Sequence, residues 1–340
     1  MCLSPQSLKA QIKGFADVVQ VATRYHRLTG MNRILGAIFT LKRSRPKKDA
    51  PKESLDHGPD ASMMDSCDMS RISANSEADI GVVVIVGGPQ YRVGSHRQFV
   101  SLSRTLASGG FPVLRFDYRV MGDSTGEMRD FLSVTHDISV AASTMRRELP
   151  TIKTVVLWGL CDGATAALLS CHVSTDKQIM GLCLLNPWVR SEVSLARTLV
   201  KHYYAQRLLQ GAFRAKLVDG GVATTAMAEL WRNLRAAWVR PPSPEMTQTV
   251  PYQDRMARAL GEFRGNTLVL LSGNDYTAKE FTEYIHTDPS WTPLLQHSKI
   301  ITTEVPVADH TFSGNAARDR VEKLTLEWIE DVIGQQICTP

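Results

Sequence analysis

From Ile80 onward the chain alternates short, nearly continuous apolar runs with longer stretches of three- and four-residue periodicity. The runs are Gly81–Val86, Pro112–Phe116, Thr154–Trp158, Gly181–Leu185, Thr267–Leu271 and, more weakly, Lys299–Val305. They are rich in β-branched residues and lack a polar face, the pattern of strands buried on both sides. Between them, helical spacing is expected over Arg97–Ala107, Leu132–Glu148, Ala164–His172, Ala278–His286 and Ala316–Ile333. Strand alternating with helix predicts an α/β fold, a mostly parallel sheet with helices on both faces.

Two regions break this rhythm. Between Pro187 and Gly265 no strand-like run occurs, only helical, Arg-rich and aromatic sequence, so a helical cap over the strand ends is expected at about 188–264. Before Ile80, Leu8, Ile12, Phe15 and Val19 recur at loose helical steps, and the apolar stretch Ile34–Leu41 reads as a short amphipathic helix with a basic flank. A basic run, Lys42–Lys52, then gives way to an acidic one, Asp56–Asp79, and neither has an apolar period. Residues 1–79 are therefore expected to be a poorly ordered extension, and 80–335 the folded domain. No internal repeat is visible.

Composition narrows the function classes. In 340 residues, 43% are hydrophobic, enough for a sizeable core, and the net charge of +5 is scattered, with no basic stripe interleaved with aromatics to suggest nucleic acid. No apolar run approaches the ~20 residues of a membrane span. The six cysteines, Cys2, Cys67, Cys161, Cys171, Cys183 and Cys338, have neither CxxC spacing nor histidines at metal-ligand distance, so no metal is expected. They read as reduced thiols in a cytoplasmic protein. No G-x-G-x-x-G opens a helix after any strand candidate, so neither a dinucleotide nor another cofactor is expected.

The segment Trp158-Gly159-Leu160-Cys161-Asp162-Gly163-Ala164 has the form of a nucleophile elbow, G-x-S-x-G, with cysteine in the serine position. It stands where such an elbow must stand, after a strand and at the opening of a helix. Gly159 and Gly163 are needed because a side chain at either would strike the neighbouring strand or helix. The helix N-terminus favours a thiolate at Cys161. A base and an acid should follow in the order nucleophile, acid, histidine. His310 lies between the last strand candidate and the C-terminal helix and is the expected base. Asp275, just past Thr267–Leu271, is the expected acid, with Glu280 and Asp309 as rivals. The backbone N–H of Asp162 and, from the Gly87–Tyr91 loop, that of Gln90 are the expected oxyanion donors, since Pro89 has none.

Five segments together, Ile85–Val100, Leu114–Gly126, Trp158–Ala164, Asn186–Tyr204 and Asp309–Ser313, resemble the exosortase A system-associated hydrolases, type 1. The resemblance spans about residues 80–335. It implies an α/β-hydrolase fold and a cytoplasmic hydrolase linked to exopolysaccharide and exosortase systems, and it places the family's cysteine, acid and histidine on Cys161, Asp275 and His310. Two departures stand out. Val120 occupies a position where glycine is expected, and a β-branched residue there is strained if φ is positive. The family also begins with a strand hairpin before Gly81–Val86, and residues 1–79 present no such pattern.

The expected reaction is hydrolysis of a small-molecule ester or thioester through an acyl-Cys161 intermediate. Acyl transfer by the same three residues is the nearest alternative. A non-catalytic scaffold in polysaccharide assembly is another, against which the intact Cys161, Asp275 and His310 set argues. Trp188, Trp231 and Trp238, with several arginines in the cap, point to a substrate with apolar and anionic parts.

Overall fold

A computed structural model describes residues 18–27, 34–42, 79–88, 90–122, 124, 126–173, 176–190, 250–294 and 297–333. Over these residues the strands are β1 (Val18–Arg27), β2 (Ile34–Lys42), β3 (Ile80–Ile85), β4 (Val113–Phe116), β5 (Thr154–Leu160), β6 (Ile179–Leu185), β7 (Asn266–Ser272) and β8 (Ile300–Val305). The helices are α1 (Gln98–Ser108), α2 (Thr135–Glu148), α3 (Asp162–Val173), α4 (Tyr252–Glu262), α5 (Tyr276–Thr287) and α6 (Asn315–Trp328), the last running into a π-helical turn, Ile329–Ile333.

The eight strands form one sheet in the order β1-β2-β4-β3-β5-β6-β7-β8. From β4 to β8 every pairing is parallel, and β1–β2 and β2–β4 are antiparallel. Alternation along each strand divides the core into two layers. Val83, Ile85, Val155 and Leu157 face α2, α3, α4 and α5, whereas Val82, Val84, Val156 and Trp158 face α1 and α6. This is the α/β layering expected from the apolar runs, whose observed bounds lie within a few residues of those read from the sequence.

The first strands are a correction. Where a helix and a structureless lead were expected, Val18–Arg27 and Ile34–Lys42 form an antiparallel hairpin, and Ala37–Thr40 pair with Val113–Phe116. Phe39 is fully buried in the main core cluster. The partner that ties them into the sheet, β4, lies more than 70 residues further on, so the local pattern alone did not identify them. The tether residues 43–78 lie outside the described residues, as do cap residues 191–249, including Trp231 and Trp238. The described end of the predicted cap, α4, packs in the main helical layer, where Met256 and Ala259 are buried beside α3.

Parallel strands aim all their carboxyl ends one way, and a ligand site at that end is the general rule for open α/β sheets. The loops after β3, β4, β5, β6, β7 and β8 therefore converge at the edge where Cys161, Asp275 and His310 lie.

Candidate active site

Cys161 sits between β5 and α3 with φ of +60°, a left-handed conformation that costs a non-glycine residue about 1–2 kcal/mol. The surroundings hold it there. Its N–H donates to Leu185 O at 2.8 Å, and its carbonyl accepts from the N–H groups of Ala164 and Thr165 at 3.0 and 3.2 Å, which starts α3. The turn depends on bare backbone. A Cβ at Gly159 would lie 2.5 Å from Gly163 O, and one at Gly163 would lie 2.7 Å from Ile85 O.

His310 follows β8 on a loop that contains two further left-handed residues, Val307 and Phe312. Its Nδ1 is 2.9 Å from Asp275 Oδ2. The hydrogen bond to Asp275, the hydrogen bond and charge of Cys161, and the charge of Asp275 together outweigh burial and raise the imidazole to about 10. Burial pushes the Asp275 carboxyl up, but His310 and the N–H groups of Ala278 and Thr277 hold it below its ordinary value. Asp275, Cys161 and His310 are thus brought together from three loops.

The rival acids are engaged elsewhere. Glu280, 1% exposed, accepts from Arg190 Nε at 3.0 Å. Asp309 accepts from Thr311 N–H at 3.2 Å, from Ser313 N–H at 2.8 Å and from the Ser313 hydroxyl, tying its own turn. Neither hydrogen bonds to the imidazole among the described residues.

The expected oxyanion donors are more constrained than the sequence suggests. The Gln90 N–H points to Gly88 O at 2.8 Å, closing a tight turn. The Asp162 carboxyl lies against Gly87 and Gly88. Burial raises it, while the N–H groups of Gly88, Gly163 and Asp162 itself, with the charge of His310, oppose that. A Cβ at Gly87 would fall 2.5 Å from Asp162 Oδ1 and 2.4 Å from Leu160 O, so only glycine admits this carboxyl.

Around the site, Arg190 stacks on Trp188 at 4.2 Å from the ring centroid, and Tyr252 donates its hydroxyl to Arg190 O at 2.9 Å. Trp188 is anchored in turn to α3, its N–H and carbonyl both bonded to Thr165 Oγ1 at 2.9 and 2.8 Å. Cys161 is half-buried, whereas desolvation raises the Cys183 thiol and pushes that of Cys171 up to about 12. Among the described residues no group of three histidine, cysteine or acidic side chains is arranged to hold a metal. No helix among them is long and apolar enough to cross a membrane. Sequence reasoning passed over Asn186, whose only signal was a polar residue lodged between Leu185 and Pro187 at a strand end.

Among solved structures, the chain is similar to the Pyrococcus furiosus esterase Pf2001, with a TM-score of 0.55, 12% identity and coverage of 98% of this chain and 97% of that one. It is also similar to dienelactone hydrolase from Anabaena variabilis, with a TM-score of 0.53, 13% identity and coverage of 93% and 99%. At these identities the likeness is one of fold, and the fold is that of the α/β-hydrolases. No family model matches the chain. A 116-residue stretch is 34% identical to Protein ABHD12B of Homo sapiens, covering 32% of this chain and 31% of that protein, so the match spans about a third of that relative.

Proposed function

We propose that this chain is a cysteine hydrolase that cleaves an ester or thioester through an acyl-Cys161 intermediate. The observation that carries the reading is the linked set of Cys161 at a left-handed strand–helix turn, His310 hydrogen bonded beside it and Asp275 at His310 Nδ1. The names of two proteins with the same fold, an esterase and a dienelactone hydrolase, are in keeping with it.

In the first half-reaction the Cys161 thiolate attacks the acyl carbonyl, and the tetrahedral intermediate collapses as the bond to the leaving oxygen or sulfur breaks. Protonated His310 gives that leaving group its proton. Water then attacks the thioester, His310 takes its proton, and the acid leaves as the Cys161 sulfur is released. Asp275 keeps the imidazole in one tautomer and stabilises its charged form. The N–H of Asp162, turned from its own carboxyl, donates to the developing oxyanion, and Gln90, on the loop after β3, supplies the second donor once substrate displaces its contact with Gly88. The hairpin Val18–Arg27 and Ile34–Lys42 together with residues 80–335 would form the hydrolase domain in the cytoplasm, and the motif resemblance supports a link to exopolysaccharide and exosortase systems.

Iodoacetamide labelling followed by peptide mapping tests the nucleophile. Labelling should be stoichiometric at Cys161, absent in Cys161→Ala and strongly reduced in His310→Ala. A panel of p-nitrophenyl esters and acyl thioesters then measures turnover. Indifferent labelling of all cysteines, with no turnover on any acyl donor, would refute the reading.

A further inference from the structure

We propose that Asn186 is a positioning residue for this reaction, fixing the His310 loop and the end of β7 to the strand that also holds the Cys161 elbow. The proposal rests on the hydrolase reading above for its kinetic consequences and on the hydrogen bonds below for its geometry.

Asn186 is the first residue past β6 and is fully buried. Its φ is +43°, a left-handed conformation that asparagine tolerates better than most residues. Its N–H extends the ladder by donating to Leu270 O at 3.0 Å. The carboxamide then works in two directions. Oδ1 accepts from Ser272 N–H at 2.8 Å, while Nδ2 donates to Ser272 Oγ at 2.8 Å and to His310 O at 3.0 Å. Ser272 N–H can only donate and His310 O can only accept, so these partners fix which end of the amide is which. Ser272 passes the link on, its hydroxyl donating to Asp309 O at 2.8 Å.

Two consecutive backbone carbonyls of the His310 loop are therefore held by Asn186 and its partner. That loop needs holding, because Val307 at φ of +61° is 85% exposed and has little packing to enforce its strained shape. At the other end, the residue before Asn186, Leu185, receives the Cys161 N–H. Adjacent residues on one strand end thus carry the nucleophile's turn and the base's loop, and Ser272 stands three residues before Asp275. An amide buried here with all its partners satisfied is a rigid joint, whereas a half-satisfied one would be costly.

Asn186→Gly in the full chain is the primary test, since glycine accepts the left-handed backbone and removes only the amide. A shift in the base of about 1 Å can cost on the order of 100-fold in rate, so kcat on p-nitrophenyl butyrate should fall about 10- to 100-fold. KM should stay within about twofold, because the interaction acts in the transition state and not on substrate binding. The elevation of His310 that Asp275 and Cys161 cause should shrink as the ring loses its register with them, so an NMR titration should show a lower midpoint in the variant than in the wild type. Ser272→Ala, which leaves the bond to His310, should give a smaller change in the same direction, and it carries the test if the glycine variant does not fold. A lowered melting temperature with kcat and the His310 midpoint both unchanged would make Asn186 a purely structural residue and overturn the proposal. If the wild type turns over no acyl donor, the hydrolase reading fails by itself. The His310 midpoint then decides the proposal alone, a fall upholding it and no change refuting it.

Discussion

Asp275 meets His310 with the same oxygen that caps its own helix: Oδ2 accepts from Ala278 N–H at 3.0 Å and lies 2.9 Å from His310 Nδ1. The helix cap and the imidazole contact are one constraint, so the carboxylate cannot turn away from the histidine without uncapping α5.

Replacing Asp275 separates the two duties. An asparagine side chain caps a helix about as well as an aspartate, so Asp275→Asn should fold normally, whereas Asp275→Ala should also lose about 1 kcal/mol of stability. Both should lose turnover, by about 10²–10³, less than the ~10⁴ of a serine triad because a thiolate–imidazolium pair leans less on the acid. Both should also lower the His310 midpoint, since Asp275 is the largest cause of its elevation. Steady-state kinetics, thermal melts and imidazole titration check the three effects separately. Unchanged kinetics in Asp275→Asn, with inactivity in Glu280→Gln, would move the role to Glu280.

The charge on His310 ties stability to alkaline pH. Its folded value, about 10, lies above the ~6.5 of an unfolded histidine, so folding favours the protonated ring. That contribution is complete below about pH 6.5 and disappears as pH rises through 10. Asp275 has the opposite sign, its carboxyl being held low, and its share disappears as the pH falls through the carboxylate range. Melting temperatures of wild type and His310→Gln from pH 6 to 11 should converge at the alkaline end.

Cys161→Ser should fold, because oxygen fits where sulfur does, yet lose most of its turnover. A serine hydroxyl is far harder to deprotonate, and its shorter bond leaves it further from the carbonyl. Matched rates for the two enzymes in a p-nitrophenyl ester assay would remove cysteine chemistry from the mechanism.

Val120 has φ of +67° and is 43% exposed. Left-handed geometry costs a β-branched residue about 1–2 kcal/mol or more, while glycine loses about 0.4–1 kcal/mol through its freer unfolded chain. Relief of strain is the larger effect, so Val120→Gly should raise the melting temperature by a few degrees. A fall would mean that this side chain makes a contact worth more than its strain.

Deleting residues 1–42 should expose the backbone of β4 and remove Phe39 from the core. The shortened protein is expected to melt at lower temperature and to self-associate through the uncovered edge, which light scattering would detect. A fragment starting near Ile80 that stays monomeric with an unchanged melt would make the hairpin dispensable.

What could be read from the chain alone follows from how local each signal is. Strands such as Thr154–Leu160 are buried on both faces, so their apolar runs announce them without reference to any partner. Cys161, Asp275 and His310 could be placed because each must fall in a loop at a strand's carboxyl end, and topology limits those loops. The hairpin was hidden for the converse reason. Val19, Val21 and Thr23 do alternate with Gln20, Ala22 and Arg24, but Leu8, Ile12 and Phe15 just before them suggest a helix, and only pairing with β4 resolves the choice. Asn186 was hidden because its side-chain partners lie far along the chain, at the end of β7 and on the His310 loop.

The pairing of Phe39 with Leu114 also sets an order of events during synthesis. The hairpin leaves the ribosome before β4, and a two-stranded ribbon alone is marginal in water. It must wait for β4, and β4 in turn pairs with β3. Its docking is therefore a late, long-range closure that pays its loop entropy before any return. Until then the nascent chain carries two paired strands with open edges, which makes this the interval when a holding chaperone would most affect yield.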